Sequence, residues 1–196
     1  MKFLSNEDAM LIAAYYYDLV KTRFGVAAIV WFEDKHGPRI TRVLLPASKE
    51  KILREISMTF PTASRKYCDI VAKFAKDLQA FTEGKTLSFD TSSLDMSRVP
   101  PFHRKVLRAL ARISRGKVST YGKIAARAGA PGGARAAGQG CANNPFPIVF
   151  PCHRVVRSDG FLGGFGGGLK LKRALLEMEG VQFDSTGKVK PEFILR

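Results

Sequence analysis

The chain has 196 residues, 45% of them hydrophobic and 25% charged, with 32 Lys and Arg against 17 Asp and Glu, a formal charge of +15 at pH 7. That length buries a core without covalent staples, and three widely spaced cysteines, Cys68, Cys141 and Cys152, form neither a disulfide framework nor a zinc-type pair. Acids at Glu7 and Asp8 interrupt any secretory apolar region and the run 24–32 is too short to cross a bilayer, so a soluble, cytoplasmic, untargeted protein is expected.

Along the chain, the spacing of Met10, Ile12, Ala13, Tyr16, Tyr17 and Val20 predicts a helix over 7–22, capped by Ser5 or Asn6. Residues 24–33 are rich in β-branched and aromatic side chains, 34–38 read as a turn, and 39–45 alternate, which predicts a β-hairpin. Ser48 caps a second helix, with Ile52, Leu53 and Ile56 on one side and Phe60-Pro61 as its stop. A third helix is expected over 64–81 and a short strand over 86–89. Asp90 to Pro101 has the turn chemistry of a linker.

Beyond the linker, Val106, Leu107, Leu110 and Ile113 mark an amphipathic helix ending near Gly116. Residues 119–128, the turn 129–132 and residues 133–142 then have the layout of a helix-turn-helix. The fold class expected is therefore α+β. A small mixed α/β unit with an antiparallel sheet occupies residues 1–97, and a mostly helical unit with a helix-turn-helix occupies residues 98–196.

Charge divides along the same line. Residues 101–196 hold 17 Lys and Arg against 5 acids, while residues 1–100 hold 15 against 12. A basic excess confined to one half favours a nucleic acid partner over a membrane, because the sequence offers no basic amphipathic helix with an aromatic face. The second helix of the helix-turn-helix is unusual for a base reader: apart from Arg135 and Gln139 it is almost all Gly and Ala, including Ala134 and Gly138. Small residues suit close approach in a minor groove, where a lone Arg135 would enter or hold the base stack. The same composition also describes an ordinary packing helix with one solvated arginine.

Cys152 lies in Pro151-Cys152-His153-Arg154-Val155, followed by the glycine-dense run 160–168. A thiol reacts as thiolate and needs a base or positive charge nearby and an approach path. His153 and Arg154 offer the first, the glycines the second. Taken singly, these residues also fit a buried small side chain beside a loop. The glycine run is no phosphate cradle, since no Gly-x-Gly-x-x-Gly passes through it and Leu169 follows where a Walker loop has Lys.

The order Ser119-Thr120-Tyr121-Gly122, Ala134-Arg135-Ala136-Ala137-Gly138, Asn144-Pro145-Phe146-Pro147-Ile148-Val149, Pro151-Cys152-His153-Arg154-Val155-Val156, Gly163-Gly164-Phe165-Gly166-Gly167-Gly168-Leu169 and Leu175-Leu176-Glu177-Met178-Glu179-Gly180 resembles the O6-alkylguanine-DNA alkyltransferase family over roughly residues 98–181. The resemblance implies a DNA repair protein that flips O6-alkylguanine out of the duplex from the minor groove and transfers the alkyl group irreversibly to Cys152, as a methyltransferase acting once, as a monomer. It implies that His153 acts on Cys152 through a water, that Glu179 orients His153, and that Tyr121 contacts the flipped base. Arg135 would fill the gap in the duplex, with Ala134, Gly138 and Gln139 also against DNA, and Asn144 would form a hinge. Val155, Gly163, Gly164, Phe165 and Gly166 would line the substrate pocket. No metal and no organic cofactor are implied.

Two departures stand out: Phe165 occupies a position where many relatives carry Tyr, and only His36, Cys68 and His103 remain where some relatives bind zinc. Cys141, on the second helix of the helix-turn-helix, is a weaker candidate thiol. Three rival readings are a lesion-binding sensor that accepts no alkyl group, a cysteine hydrolase using Cys152, His153 and Glu179, and a plain helix-turn-helix regulator. Relatives of the sensor type lack the cysteine that stands here at 152.

Overall fold

The computed structural model describes residues 14–195. Strands β1 (Tyr15–Thr22), β2 (Gly25–Asp34) and β3 (Gly37–Ala47) form an antiparallel meander, followed by α1 (Lys49–Thr59), β4 (Ser64–Arg65) and α2 (Asp69–Thr82). The sheet order is β3-β2-β1-β4, with β4 parallel to β1. The helix expected over 7–22 is corrected here: residues 15–22 are β1, and its remainder, with the Ser5 or Asn6 cap, lies outside the described residues. The recurrence that imitates a helix arises because β1 buries side chains on both of its faces. Tyr15 packs toward Phe60 while Tyr16 packs on Trp31, and eight register pairs with β2 outweigh helix propensity.

Both faces of the sheet are covered. Tyr15, Ala28, Val30 and Leu44 meet Ile52, Ile56 and Phe60 of the α1 region. On the other face Val20, Ile29, Trp31, Ile40 and Val43 meet Val71, Phe74, Leu78 and Phe81 of the α2 region. Ser48 caps α1 by accepting from the Lys51 amide. The helix expected over 64–81 starts only at Asp69, because Ser64 and Arg65 pair with Tyr16 and Tyr17 of β1. The strand expected over 86–89 is absent among the described residues; Phe89 anchors that segment against Phe74 and Phe81 instead.

The connection 90–100 is clamped to β3. The Ile40 amide donates to Ser93 O at 2.8 Å, the Asp95 amide donates to Ile40 O at 2.7 Å, and Arg39 donates to the carbonyls of Ser92 and Leu94. Then come α3 (Pro101–Ala111), β5 (Ser119–Thr120), α4 (Tyr121–Arg127), α5 (Ala134–Ala142), a 3-10 turn (Cys152–Arg154), β6 (Val155–Val156), α6 (Gly168–Met178) and a second 3-10 turn (Pro191–Phe193). Pro101 opens α3 at a position where its missing amide costs nothing. Thr120 caps α4 by accepting from the Lys123 amide, and Gly129 and Gly132, both at positive φ, make the turn into α5.

Val106, Leu107, Leu110 and Ile113 join the same hydrophobic cluster as the inner face of the sheet, so one continuous core links the two halves of the chain. This is the α+β fold expected, with an N-terminal sheet and a helical C-terminal region. No described helix is long and apolar enough to cross a membrane.

Candidate functional site

The segment between α5 and β6 carries the reacting thiol and is held in an unusual shape. Ile148 has φ of 75°, left-handed backbone that a β-branched residue avoids without outside support. Asn144 supplies that support: its Oδ1 accepts from the Phe146 amide at 3.0 Å, and its Nδ2 donates to Phe150 O at 2.7 Å and to Cys152 Sγ at 3.3 Å. One amide therefore fixes both the loop and the sulfur. The N-terminal sheet joins in, since the Val43 amide of β3 donates to Pro145 O at 2.9 Å.

Cys152 to Arg154 form a turn of 3-10 helix, which corrects the extended geometry expected for this segment; Pro151 and the Cys152 amide bond to Phe150 O close the chain on itself. Cys152 is 7% exposed and His153 is fully buried. Burial pushes the Cys152 thiol up from its ordinary range, opposed by the Asn144 hydrogen bond and by the nearby Lys172 charge. Burial pushes the His153 imidazole down, opposed by Glu179.

Behind the thiol lies a buried charge cluster. His153 Nε2 is 2.9 Å from Glu179 Oε1, and Arg154 clamps both oxygens of that carboxylate, Nε to Oε2 and Nη2 to Oε1 at 2.8 Å each. Arg154 Nη1 also donates to Ile113 O at 2.6 Å. Burial alone would raise Glu179, yet the hydrogen bonds from His153 and Arg154 hold it at about 2. An ionised Glu179 requires a hydrogen on His153 Nε2, so a neutral His153 presents Nδ1 as an acceptor. That Nδ1 is buried and has no protein hydrogen-bond partner among the described residues.

In front of the thiol is a cavity of about 350 Å³ lined by Tyr121, Gly138, Cys141, Ala142, Cys152, Gly164, Phe165 and Gly166. The Tyr121 hydroxyl donates to Gly164 O at 3.3 Å, and burial pushes it up to about 12, so it keeps its proton. Phe165 stands edge-on to His153 with ring centres 6.4 Å apart. Five of the expected residues thus meet at one cavity: Cys152, Tyr121, Gly164, Phe165 and Gly166. Gly138 of α5 joins them.

Val155 and Gly163 are not on that lining. Val155 is fully buried behind it, and Gly163 lies under Tyr121, where an added Cβ would come within 3.1 Å of the ring. Along α5, Arg135 and Gln139 are exposed and Ala134 is half-buried, while Ala137 and Gly140 face the core. Arg135 joins no ion pair among the described residues.

Sequence reasoning missed Lys172. Its side chain is fully buried, and its ammonium donates to Val155 O at 2.6 Å, to Leu162 O and, at 3.3 Å, to Gly164 O, tying α6 to the glycine loop. Burial lowers it to about 8. The signal was present: Lys172, Leu175, Leu176 and Glu179 recur at helical spacing on the buried face of α6, and ionic groups in such a stripe are rarely there for solubility. Arg154 as the partner of Glu179, and Cys141 and Ala142 as cavity walls, were missed as well. Burial pushes the Cys141 thiol up to about 12.

Residues 101–181 match a family model described as 6-O-methylguanine DNA methyltransferase, DNA binding domain. The methylated-DNA–protein-cysteine methyltransferase of Methanothermobacter thermautotrophicus is 40% identical over 156 residues, 80% of this chain and 80% of its own. The protein of the same name from Salmonella typhimurium is 35% identical over 159 residues, 81% of this chain and 85% of its own. Among solved structures, the Mycobacterium tuberculosis O6-methylguanine methyltransferase aligns with a TM-score of 0.64 at 34% identity, covering 86% of this chain and 93% of that one. The M. tuberculosis OGT in complex with DNA aligns with a TM-score of 0.66 at 32% identity, covering 84% and 92%. With identity at this level over four fifths of both chains, and a cysteine, a buried imidazole and a base-sized cavity brought together, the chain belongs to the methylated-DNA–protein-cysteine methyltransferase family.

Proposed function

We propose that this protein repairs DNA by turning an O6-alkylguanine out of the duplex and moving its alkyl group irreversibly onto Cys152. The observation that carries the reading is Cys152 Sγ at the wall of a cavity of about 350 Å³, hydrogen-bonded to Asn144 and backed by the His153, Glu179 and Arg154 cluster. Neutral His153 takes the thiol proton through a bridging water at Nδ1 while Glu179 fixes its tautomer. The thiolate attacks the alkyl carbon, the carbon–oxygen bond breaks, and the electron pair leaves with the guanine. Tyr121, which stays protonated, donates to the departing base, and the proton taken by His153 returns to the guanine.

The product is a thioether with no carbonyl for water to attack, so Cys152 is not regenerated and each molecule acts once. A base within a duplex cannot reach the thiol, and extrusion costs a few kcal/mol of lost stacking. Exposed Arg135 offsets that cost by filling the gap from the minor groove, and Ala134, Gly138 and Gln139 on the same small-residue helix allow the close approach. Asn144 serves as the hinge between α5 and the active-site turn. The protein works as a monomer, residues 98–196 forming the DNA-binding acceptor unit and residues 1–97 its support.

The test is incubation with duplex DNA carrying a single O6-methylguanine, followed by mass spectrometry of the tryptic digest. The peptide holding Cys152 gains one methyl group, and Cys152→Ala gains none. An unmodified peptide beside an intact lesion would mean a lesion-binding sensor instead, and repeated turnover of an acyl substrate would mean a hydrolase.

A further inference from the structure

A second cavity, about 290 Å³, meets the first at the sulfur: both are bordered by Cys141, Ala142, Cys152, Phe165 and Gly166. It leads away from Tyr121 and α5, between β3 and the glycine loop. Near the sulfur its walls are Val43, Leu45, Pro147 and Phe165; at its far rim stand Arg42 of β3 and Lys51 and Glu55 of α1. Arg42 and Lys51 are exposed and join no ion pair among the described residues, while Glu55 is half-buried. The rim therefore carries two cations against one carboxylate.

Displacement at carbon has a directional demand. Sulfur, carbon and the leaving oxygen fall in line, so any chain beyond the reacting carbon projects sideways from that line and needs space beside the sulfur. The second cavity supplies that space, apolar for methylenes at first and positively charged where a longer chain would end.

Resting on the reading of Cys152 as alkyl acceptor, we infer that the site accepts extended O6-alkyl chains with an anionic terminus, and that Arg42 and Lys51 recognise that terminus. The chemistry transferred is unchanged: the sulfur–carbon bond forms, the carbon–oxygen bond breaks, and the carboxylate stays with the chain on Cys152. Two half-solvated cations against one carboxylate give a modest preference, on the order of a few exposed ion pairs, and one that weakens in salt.

Single-turnover transfer rates should be measured on three duplexes of one sequence carrying O6-methylguanine, O6-butylguanine or O6-(3-carboxypropyl)guanine, with the wild type and with Arg42→Glu/Lys51→Glu. The charge reversal is expected to slow the carboxypropyl chain about fivefold or more relative to butyl, the scale of exposed ion pairs lost and inverted, leaving methyl transfer unchanged. Raising the salt shrinks the wild-type ratio of carboxypropyl to butyl. Equal slowing of butyl and carboxypropyl, or no slowing of either, with methyl transfer intact overturns the role of the two cations alone. Failure of the wild type to accept methyl overturns the acceptor reading and this inference together.

Discussion

Glu179 is the residue on which the buried charges converge, bonded by His153 at 2.9 Å and by Arg154 at 2.8 Å through both of its oxygens. Its carboxyl is held at about 2 against an ordinary 4.5. A folded-state value below the unfolded one means that the contribution to stability is complete above about pH 4.5 and is lost as the pH falls toward 2; a shift of this size corresponds to about 3 kcal/mol. Glu179→Gln should therefore unfold at lower urea at pH 7, by about 3 kcal/mol, with the gap to the wild type closing as the pH drops to 3. A constant gap across that range would show that Glu179 acts through shape and not charge. The same variant frees His153 to adopt either tautomer, so alkyl transfer should fall more steeply than DNA binding. At this scale the motif around Cys152 was legible in the chain because its chemistry is carried by adjacent residues. Lys172 and Arg154 were not, because their partners are backbone carbonyls and a distant carboxylate that only folding brings near.

Among the elements, α5 shows why a helix of Gly and Ala is used against DNA and against its own core at once. Gly140 faces α3 so closely that a Cβ there would lie 3.1 Å from three atoms of Val106. Gly140→Val should cost about 1 to 3 kcal/mol by overpacking and lower the thermal midpoint, and an unchanged midpoint would deny the close helix contact. On the opposite face Arg135→Ala should slow repair of a duplex far more than dealkylation of free O6-benzylguanine, because only the duplex demands extrusion; matched losses on both substrates would remove the gap-filling role. The helix-turn-helix was readable from glycine punctuation and apolar spacing, as were the hairpin and α1. β1 was misread because a strand covered on both sides by Tyr15, Tyr16 and Val20 loses its alternating signature, and β4 because two residues are too few to leave a pattern.

For the molecule as a whole, the two halves act as one body in the region that matters. The sheet lends β3 to the pocket: Val43 holds Pro145, and Leu45 reaches within 3.8 Å of where a Cβ on Gly166 would sit. Support and chemistry are thus joined at the thiol, and the basic excess lies in the half that carries α5. No periodicity along the chain announces such a junction, since it depends on how β3 packs against a loop a hundred residues later. The central claim is that Cys152 is consumed in the act of repair. With O6-methylguanine duplex in tenfold excess, the count of lesions removed per protein molecule tests it most directly. A plateau at one lesion per molecule, matched by methylated Cys152, is the predicted result; lesion loss that continues past one equivalent would contradict it.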